Sequence, residues 1–350
     1  MSASFQPAWW LPGPHLQTLW ASFFRKTPQL ERRRERLWLA DGDFIDLDWH
    51  GPHEAEVPLL LVAHGLTGSS ESHYVLGLQQ QLAAQGWASV ALNWRGCSGE
   101  SNLLPRGYHS GVSEDLGAVI AHLQACRPQA PLYAVGYSLG GNVLLKYLGE
   151  TGEHSGLEAA VAVSVPFRLD QCADRIGIGF SRVYQAHFMQ ELKAYVADKR
   201  ARFTERGLAQ HLATLEGLGP LDDMRTFWDF DGRVTAPLNG FSDAHDYYKR
   251  SSSRYYLGEN RTPTLIIQSS DDPFVFPRTW HPTWDGRIAL LKWAAYLGNI
   301  RLAGRNAVSF GQSNAAAVQQ ERFDLILDLR APDATPTFLQ HAPPQGYLRG

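Results

Sequence analysis

A serine hydroxyl becomes a useful nucleophile when a tight turn pushes it out of the backbone and a base accepts its proton. The run Gly136-Tyr137-Ser138-Leu139-Gly140-Gly141 supplies the first condition. It matches G-x-S-x-G, directly after a strand-like run and opening a helix-like one. Small residues two positions either side let strand and helix close around the serine. The helix N-terminus adds N–H groups and a favourable dipole beside a developing anion. Ser138 is therefore the expected nucleophile.

Two further runs fit the same chemistry. His64-Gly65-Leu66-Thr67-Gly68-Ser69 follows the first core strand and can turn an amide toward Ser138. The N–H groups of Leu66 and Leu139 are the expected oxyanion hole. His64 itself reads as a structural loop histidine bonded to backbone. Asp271-Asp272-Pro273-Phe274 follows another strand-like run, where a carboxylate can orient an imidazole. Asp272, at the turn into the next segment, is the expected acid; Asp271 faces solvent or caps the turn. The plainer alternative is an ordinary Asp-Pro turn.

The elements that position these residues alternate. Strands are expected over residues 57–63, 87–92, 131–136 and 157–165, and helices over 73–84, 113–125 and 139–148. This alternation implies an α/β fold, a mostly parallel sheet with helices on both faces. Ahead of it, residues 34–40 and 44–50 flank Asp41-Gly42 as a hairpin. From 167 to 256 the β rhythm stops, and a helical lid over the strands' carboxyl ends is expected. Its aromatic cluster, Phe227, Trp228, Phe230, Tyr247 and Tyr248, suits an apolar pocket. A strand returns at 262–268, a helix is expected at 288–297, and strands at 301–310 and 323–329. The chain thus divides into 1–166 and 257–276 as core, 167–256 as lid and 277–350 as a C-terminal segment.

Composition narrows the class. The chain has 350 residues, 44% hydrophobic and 19% charged, with net charge −3. A sizeable core is available, and a strongly basic nucleic-acid binder is excluded. The cysteines, Cys97, Cys126 and Cys172, have neither disulfide nor metal-ligand spacing and are expected to be reduced and buried. No metal or cofactor is expected. The N-terminus lacks signal-peptide character and no apolar run nears ~18 residues, so no integral membrane segment and a cytoplasmic location are expected. Residues 25–36 carry six basic residues against Glu31 and Glu35, a solvated face or a weak contact with an anionic surface.

These motifs together resemble the YheT-like esterase branch of the α/β-hydrolase superfamily. The N-terminal Trp9-Trp10-Leu-Pro-Gly-Pro-His-Leu-Gln-Thr-Leu19 resembles that branch as well, as do Asn93-Trp-Arg-Gly-Cys-Ser-Gly99, Phe230-Asp231 with Thr235-Ala-Pro237, Gly240-Phe241, Asp246-Tyr-Tyr248 and Ser251-Ser-Ser253. The likeness runs from about residue 7 to 275. It implies an α/β-hydrolase fold and cofactor-free, serine-dependent hydrolysis of a small-molecule carboxylic ester, with a short or medium acyl chain.

One part of the family pattern is missing. The family places its histidine in a Gly-Gly-His-type loop some tens of residues after the acid. Of thirteen histidines here only His281 and His341 follow Asp272, and neither lies in such a loop. His281, nine positions on, can reach the site, since nine extended residues span about 30 Å. Nothing around it looks built to hold an imidazole. From about 277 the likeness ends, and the tail faintly resembles a stretch preceding the cluster cysteines of ferredoxin-type iron–sulfur proteins, without any such cysteine. A frameshifted or fused gene accounts for this most simply. Three functions are therefore in view: a serine esterase with a displaced base, an inactive relic that binds acyl ligands, or an interaction module worked by the C-terminal segment.

Overall fold

A computed structural model describes residues 10–269 and 271–276, and the backbone of 288–293. An eight-stranded sheet forms its centre, in the order β1-β2-β4-β3-β5-β6-β7-β8. The strands are β1 (Arg33–Trp38), β2 (Phe44–His50), β3 (Leu59–Ala63), β4 (Ala88–Asn93), β5 (Leu132–Tyr137), β6 (Ala159–Val163), β7 (Thr264–Ser269) and β8 (Ile288–Trp293). β2 runs antiparallel to both β1 and β4, and the other pairings are parallel. The chain steps from β3 to β4 on one side, then crosses to β5 on the other. The strand order therefore reverses at β3, and a crevice opens at the carboxyl ends of β3 and β5, where ligands settle in open α/β sheets.

Both faces of the sheet are covered, so its strands read as unbroken apolar runs. Leu59, Leu61 and Ala63 of β3 point to one face and pack with α3 (Ser113–Cys126) and α4 (Leu139–Thr151). Val62 points to the other, against Val75, Leu78 and Leu82 of α2 (His73–Ala84). The β1–β2 hairpin turns at Asp41-Gly42 as expected, with Gly42 at φ 81° and Leu39 N–H donating to Asp43 O at 2.8 Å.

Between β6 and β7 the chain is helical throughout: α5 (Leu169–Ile176), α6 (Ser181–Glu205), α7 (Ala209–Glu216), the short α8 (Phe227–Phe230) and α9 (Ala236–Leu238), and α10 (Ala244–Ser251). This lid has its own apolar cluster around Met189, Leu192, Val196, Met224, Phe230 and Val234, and Leu66 packs against it. Two polar side chains, the half-buried Tyr195 and the buried Lys199, seat α6 on the loop after β4. The Tyr195 hydroxyl donates to Arg95 O at 3.0 Å, and the Lys199 ammonium donates to the carbonyls of Leu104, Pro105 and Arg106 at 2.9–3.3 Å. Burial pushes the Lys199 ammonium down to about 7. At the lid's far root, Asn142 of α4 donates to Ser110 O and Ser251 O, both at 2.7 Å, and accepts from Ser253 N at 2.9 Å.

Three expectations need correction. Residues 288–293 are strand rather than helix, pairing in parallel register with β7 from Thr264↔Ile288 to Ser269↔Trp293. A short apolar run suits either conformation, and the open edge of β7 decides it. The core sheet thus continues past 276. Cys126, the last residue of α3, is exposed rather than buried, and Cys97 and Cys172 are half-buried. The basic stretch is also less open than expected: Arg32 pairs with Glu71, Arg34 with Asp48, and Arg36 with Asp46 and Glu100.

Asn142 yields the first prediction. Truncation by Asn142→Ala strands two carbonyls and one N–H, each costing roughly 1–3 kcal/mol. Urea unfolding should show a loss of about 3–5 kcal/mol, the low end of that sum because the Ser110 carbonyl is only part-buried; a loss below ~0.5 kcal/mol would mean that the lid is not rooted through this side chain.

Candidate active site

Ser138 sits between β5 and α4 at φ 50°, ψ −115°, a left-handed conformation that costs a non-glycine residue on the order of 1–3 kcal/mol. The surrounding glycines explain how it is held. A Cβ on Gly136 would lie 2.4 Å from Gly140 O, and one on Gly140 would lie 2.5 Å from Ala63 O. No side chain fits at either place, so strand, helix and the end of β3 pack backbone to backbone. Ser138 N donates to Val163 O at 2.8 Å, and Ser138 O accepts from Asn142 N at 3.0 Å.

The loop after β3 presses on this turn, for a Cβ on Gly65 would lie 3.2 Å from Ser138 Cβ. Its amides are divided. Gly65 N donates to the Tyr74 hydroxyl and Thr67 N to the Tyr108 hydroxyl, each at 3.0 Å. Leu66 lies between them. Among the described residues, neither Leu66 N–H nor Leu139 N–H donates to a protein acceptor. Both residues line one cavity with Ser138. His64 is buried, its Nε2 accepting from Trp94 N at 3.2 Å and its Nδ1 donating to Gly65 O at 2.7 Å. Burial pushes its pKa down to about 4, so it is a neutral brace for the loop.

Asp272 is buried behind the cavity wall. Its Oδ1 accepts from Phe274 N at 2.8 Å and its Oδ2 from Gln268 Nε2 at 3.2 Å. Gln268 cannot turn its amide around, because its Oε1 accepts from Val165 N at 2.8 Å. Burial nevertheless pushes the Asp272 carboxyl up to about 7, helped by Asp271. Asp272 does not itself line the cavity; Phe274, Val275 and Cys172 beside it do. Asp271 accepts from Ser269 Oγ.

Among the described residues no histidine is hydrogen-bonded to Ser138 or Asp272. Three line the cavity: His73, His109 and His187. His109 is spoken for as a donor. Its Nδ1 accepts from Gly111 N at 3.1 Å, which places the ring proton on Nε2, and burial pushes its pKa down to about 3. His281 and His341 lie outside the described residues.

The cavity has a volume of about 790 Å³, in the range of small-molecule sites. Ser138, Leu139 and Ser164 form its floor, lid residues such as Leu192, Phe227, Phe230 and Val234 its roof, and Thr18, Leu19 and Phe23 of α1 (Pro14–Phe24) one wall. Ser164 went unread in the sequence. It has φ 53° and a buried Oγ without a partner among the described residues. Its position just past β6 was the available signal. A separate grouping of metal-ligand types, Glu35, His122 and Cys126, lies between β1 and α3, and none of its members lines the cavity.

Residues 58–291 match the α/β hydrolase fold family. The chain belongs to that family, in its YheT-like branch. It is 42% identical over 277 residues to the candidate esterase YheT of Escherichia coli K12, covering 78% of this chain and 79% of that one. It is 30% identical to the mouse phospholipase ABHD3 (78% and 66% covered) and 30% identical to the monoacylglycerol lipase of Saccharomyces cerevisiae (62% and 48%). The chain thus spans less than two thirds of the last two relatives.

The buried carboxyl yields a pH prediction. With a folded-state pKa raised above the ordinary carboxylate value, Asp272 favours folding fully below about pH 4, and this contribution is lost as pH rises through about 7. Asp272→Asn removes that dependence. The stability of the variant relative to wild type should rise by about 2–4 kcal/mol between pH 5 and 8.5 in chemical denaturation. A difference that stays flat with pH would show that the carboxyl is not perturbed.

Proposed function

We propose that the protein is a serine hydrolase of acyl esters, with Ser138 as nucleophile, the N–H groups of Leu66 and Leu139 as oxyanion hole, and Asp272 as the acid of the triad. The observation that carries this reading is the strained Ser138, facing an apolar cavity beside two unengaged amides. In this mechanism Ser138 Oγ attacks the ester carbonyl, and negative charge gathers on the carbonyl oxygen. The two N–H groups stabilise it in place, without reorganising. Solvent takes the proton lost by Ser138 Oγ and returns one to the departing oxygen, so that collapse breaks the ester C–O bond and expels the alcohol; a water molecule then attacks the acyl-enzyme, freeing the acid and restoring the Ser138 hydroxyl. The acyl chain occupies the apolar space under the lid, which fits relatives named as a phospholipase and a monoacylglycerol lipase.

The weak member is the base. His109 is a donor by its tautomer and His64 is a brace, so neither takes the serine proton. We therefore read the enzyme as slowed by loss of the family's histidine from its usual place, retaining on the order of 10³–10⁴-fold over water from the oxyanion hole and binding. The second reading, an acyl-ligand binding protein, rests on the same absence of a bonded histidine among the described residues.

Fluorophosphonate labelling tests the proposal. The probe should modify Ser138, as read by peptide mass spectrometry, and Ser138→Ala should abolish labelling. Turnover of short p-nitrophenyl esters should be barely above background and should change less than ~2-fold in His281→Ala. Absence of labelling would favour the binding protein. Robust turnover abolished by H281A would identify His281 as the base and remove the slowed-enzyme reading.

A further inference from the structure

Three side chains of three metal-ligand types meet between β1 and α3, away from the cavity. Glu35 belongs to β1, and His122 and Cys126 belong to α3. Read along the chain they have no ligand spacing, because Glu35 lies 87 residues from His122. The fold supplies the grouping. His122 and Cys126, four residues apart, share one face of α3, and the edge strand of the sheet brings Glu35 to that face.

The distances suit a small cation. One ligand atom from each residue lies within 4.8 Å of the other two. His122 Nε2 is 2.6 Å from Glu35 Oε1 and 3.5 Å from Cys126 Sγ. A tetrahedral zinc ion, with bonds of ~2.0 Å to nitrogen and oxygen and ~2.3 Å to sulfur, holds such pairs ~3.3 and ~3.5 Å apart. The nitrogen–sulfur distance already fits, and the His122–Glu35 hydrogen bond opens by roughly 0.7 Å to admit the ion. Cys126 Sγ also lies 3.8 Å from His122 Nδ1, so the thiol has to turn about χ1 toward Nε2. Its exposure permits that turn. The carboxylate is held in place from behind. Arg33 Nη1 donates to Glu35 Oε2 at 3.1 Å, which leaves Oε1 directed at the imidazole. Ligating carboxylates ordinarily carry such an outer hydrogen bond.

The donor set selects the ion. Calcium and magnesium take oxygen ligands, whereas one thiolate, one imidazole and one carboxylate suit zinc. An ion pair between His122 and Glu35 would need no thiol beside the same nitrogen. We propose that Glu35, His122 and Cys126 bind a zinc ion, with water in the fourth position. Ligation at Nε2 leaves the imidazole proton on Nδ1 and releases the thiol proton to solvent. None of the three residues lines the cavity, so the ion joins the edge strand β1 to α3 and takes no part at Ser138. The site is independent of the acyl-ester reading.

The test is zinc titration of the freshly reduced, metal-free full-length protein against a chromophoric chelator. One equivalent should bind with a Kd below ~10 μM, and zinc at ~100-fold its Kd should raise Tm by about 4–5 °C. Cobalt(II) in place of zinc should show the visible bands of a tetrahedral ion and a near-ultraviolet sulfur-to-metal charge-transfer band. Cys126→Ser should remove the charge-transfer band and weaken zinc at least ~10-fold. His122→Ala and Glu35→Gln should each weaken zinc at least ~10-fold as well. Circular dichroism of the metal-free variants checks that each is folded. His53→Ala, at an exposed histidine elsewhere, should leave binding unaltered. A Kd above ~10 μM overturns the proposal and leaves an ion pair with a thiol beside it. Binding insensitive to any one of the three substitutions overturns the three-ligand site. Cobalt bound without the sulfur band does so too, since Cys126 is then no ligand.

Discussion

Everything around Ser138 depends on three backbones meeting without side chains between them. Gly136 lets β5 touch the first turn of α4, and Gly140 lets that turn touch the end of β3. Because β3 and β5 are neighbours at the place where the strand order reverses, the loops after them come together as a matter of topology. The positive φ of Ser138 is the residue left over from this fit. Its strain is small beside the packing of a fully covered sheet, so the sheet can hold it indefinitely.

The same economy governs the amides of the neighbouring loop. A run of N–H groups near a serine would normally close on itself or on water. Here Tyr74 and Tyr108 take the amides on either side of Leu66, and His64 ties the loop to Trp94 behind it. Tyr108 in turn packs edge-on against Tyr195 of α6, their centroids 6.0 Å apart. The loop after β3 is therefore braced from the lid as well as from the sheet. Pre-set donors of this kind are what electrostatic catalysis requires, since they need no rearrangement as charge develops.

Much of this was legible in the residues, for reasons that differ from element to element. The turn at Ser138 and the loop at Gly65 announce themselves because only glycine satisfies their contacts. The central strands do so because burial on both faces leaves no polar alternation. Residues 288–293 were misread because a short apolar run carries no period that separates helix from strand, and only the waiting edge of β7 distinguishes them. The wall contributed by α1 was also hidden, because its partners in α6 lie far along the chain, 169 residues away for the contact of His15 with Tyr184. Pairings at that distance leave no local trace. Gln268 and His109 belong to the same class: their roles follow from which backbone atoms hold their rings or amides, and not from their type or spacing.

Asn142 has a consequence for how such a protein can diversify. One amide side chain on the helix that follows Ser138 grips the loop ahead of α3, the last residue of α10 and Ser253 just past it. The returning end of the helical insertion is thus fastened to α4 rather than to the roof. Between that fastening and β6, roughly eighty residues can lengthen, shorten or exchange their apolar faces, except where Tyr195 and Lys199 of α6 hold the loops after β3 and β4. The shape of the cavity roof and the geometry around Ser138 are thus separable over most of the insertion and coupled only along that one helix.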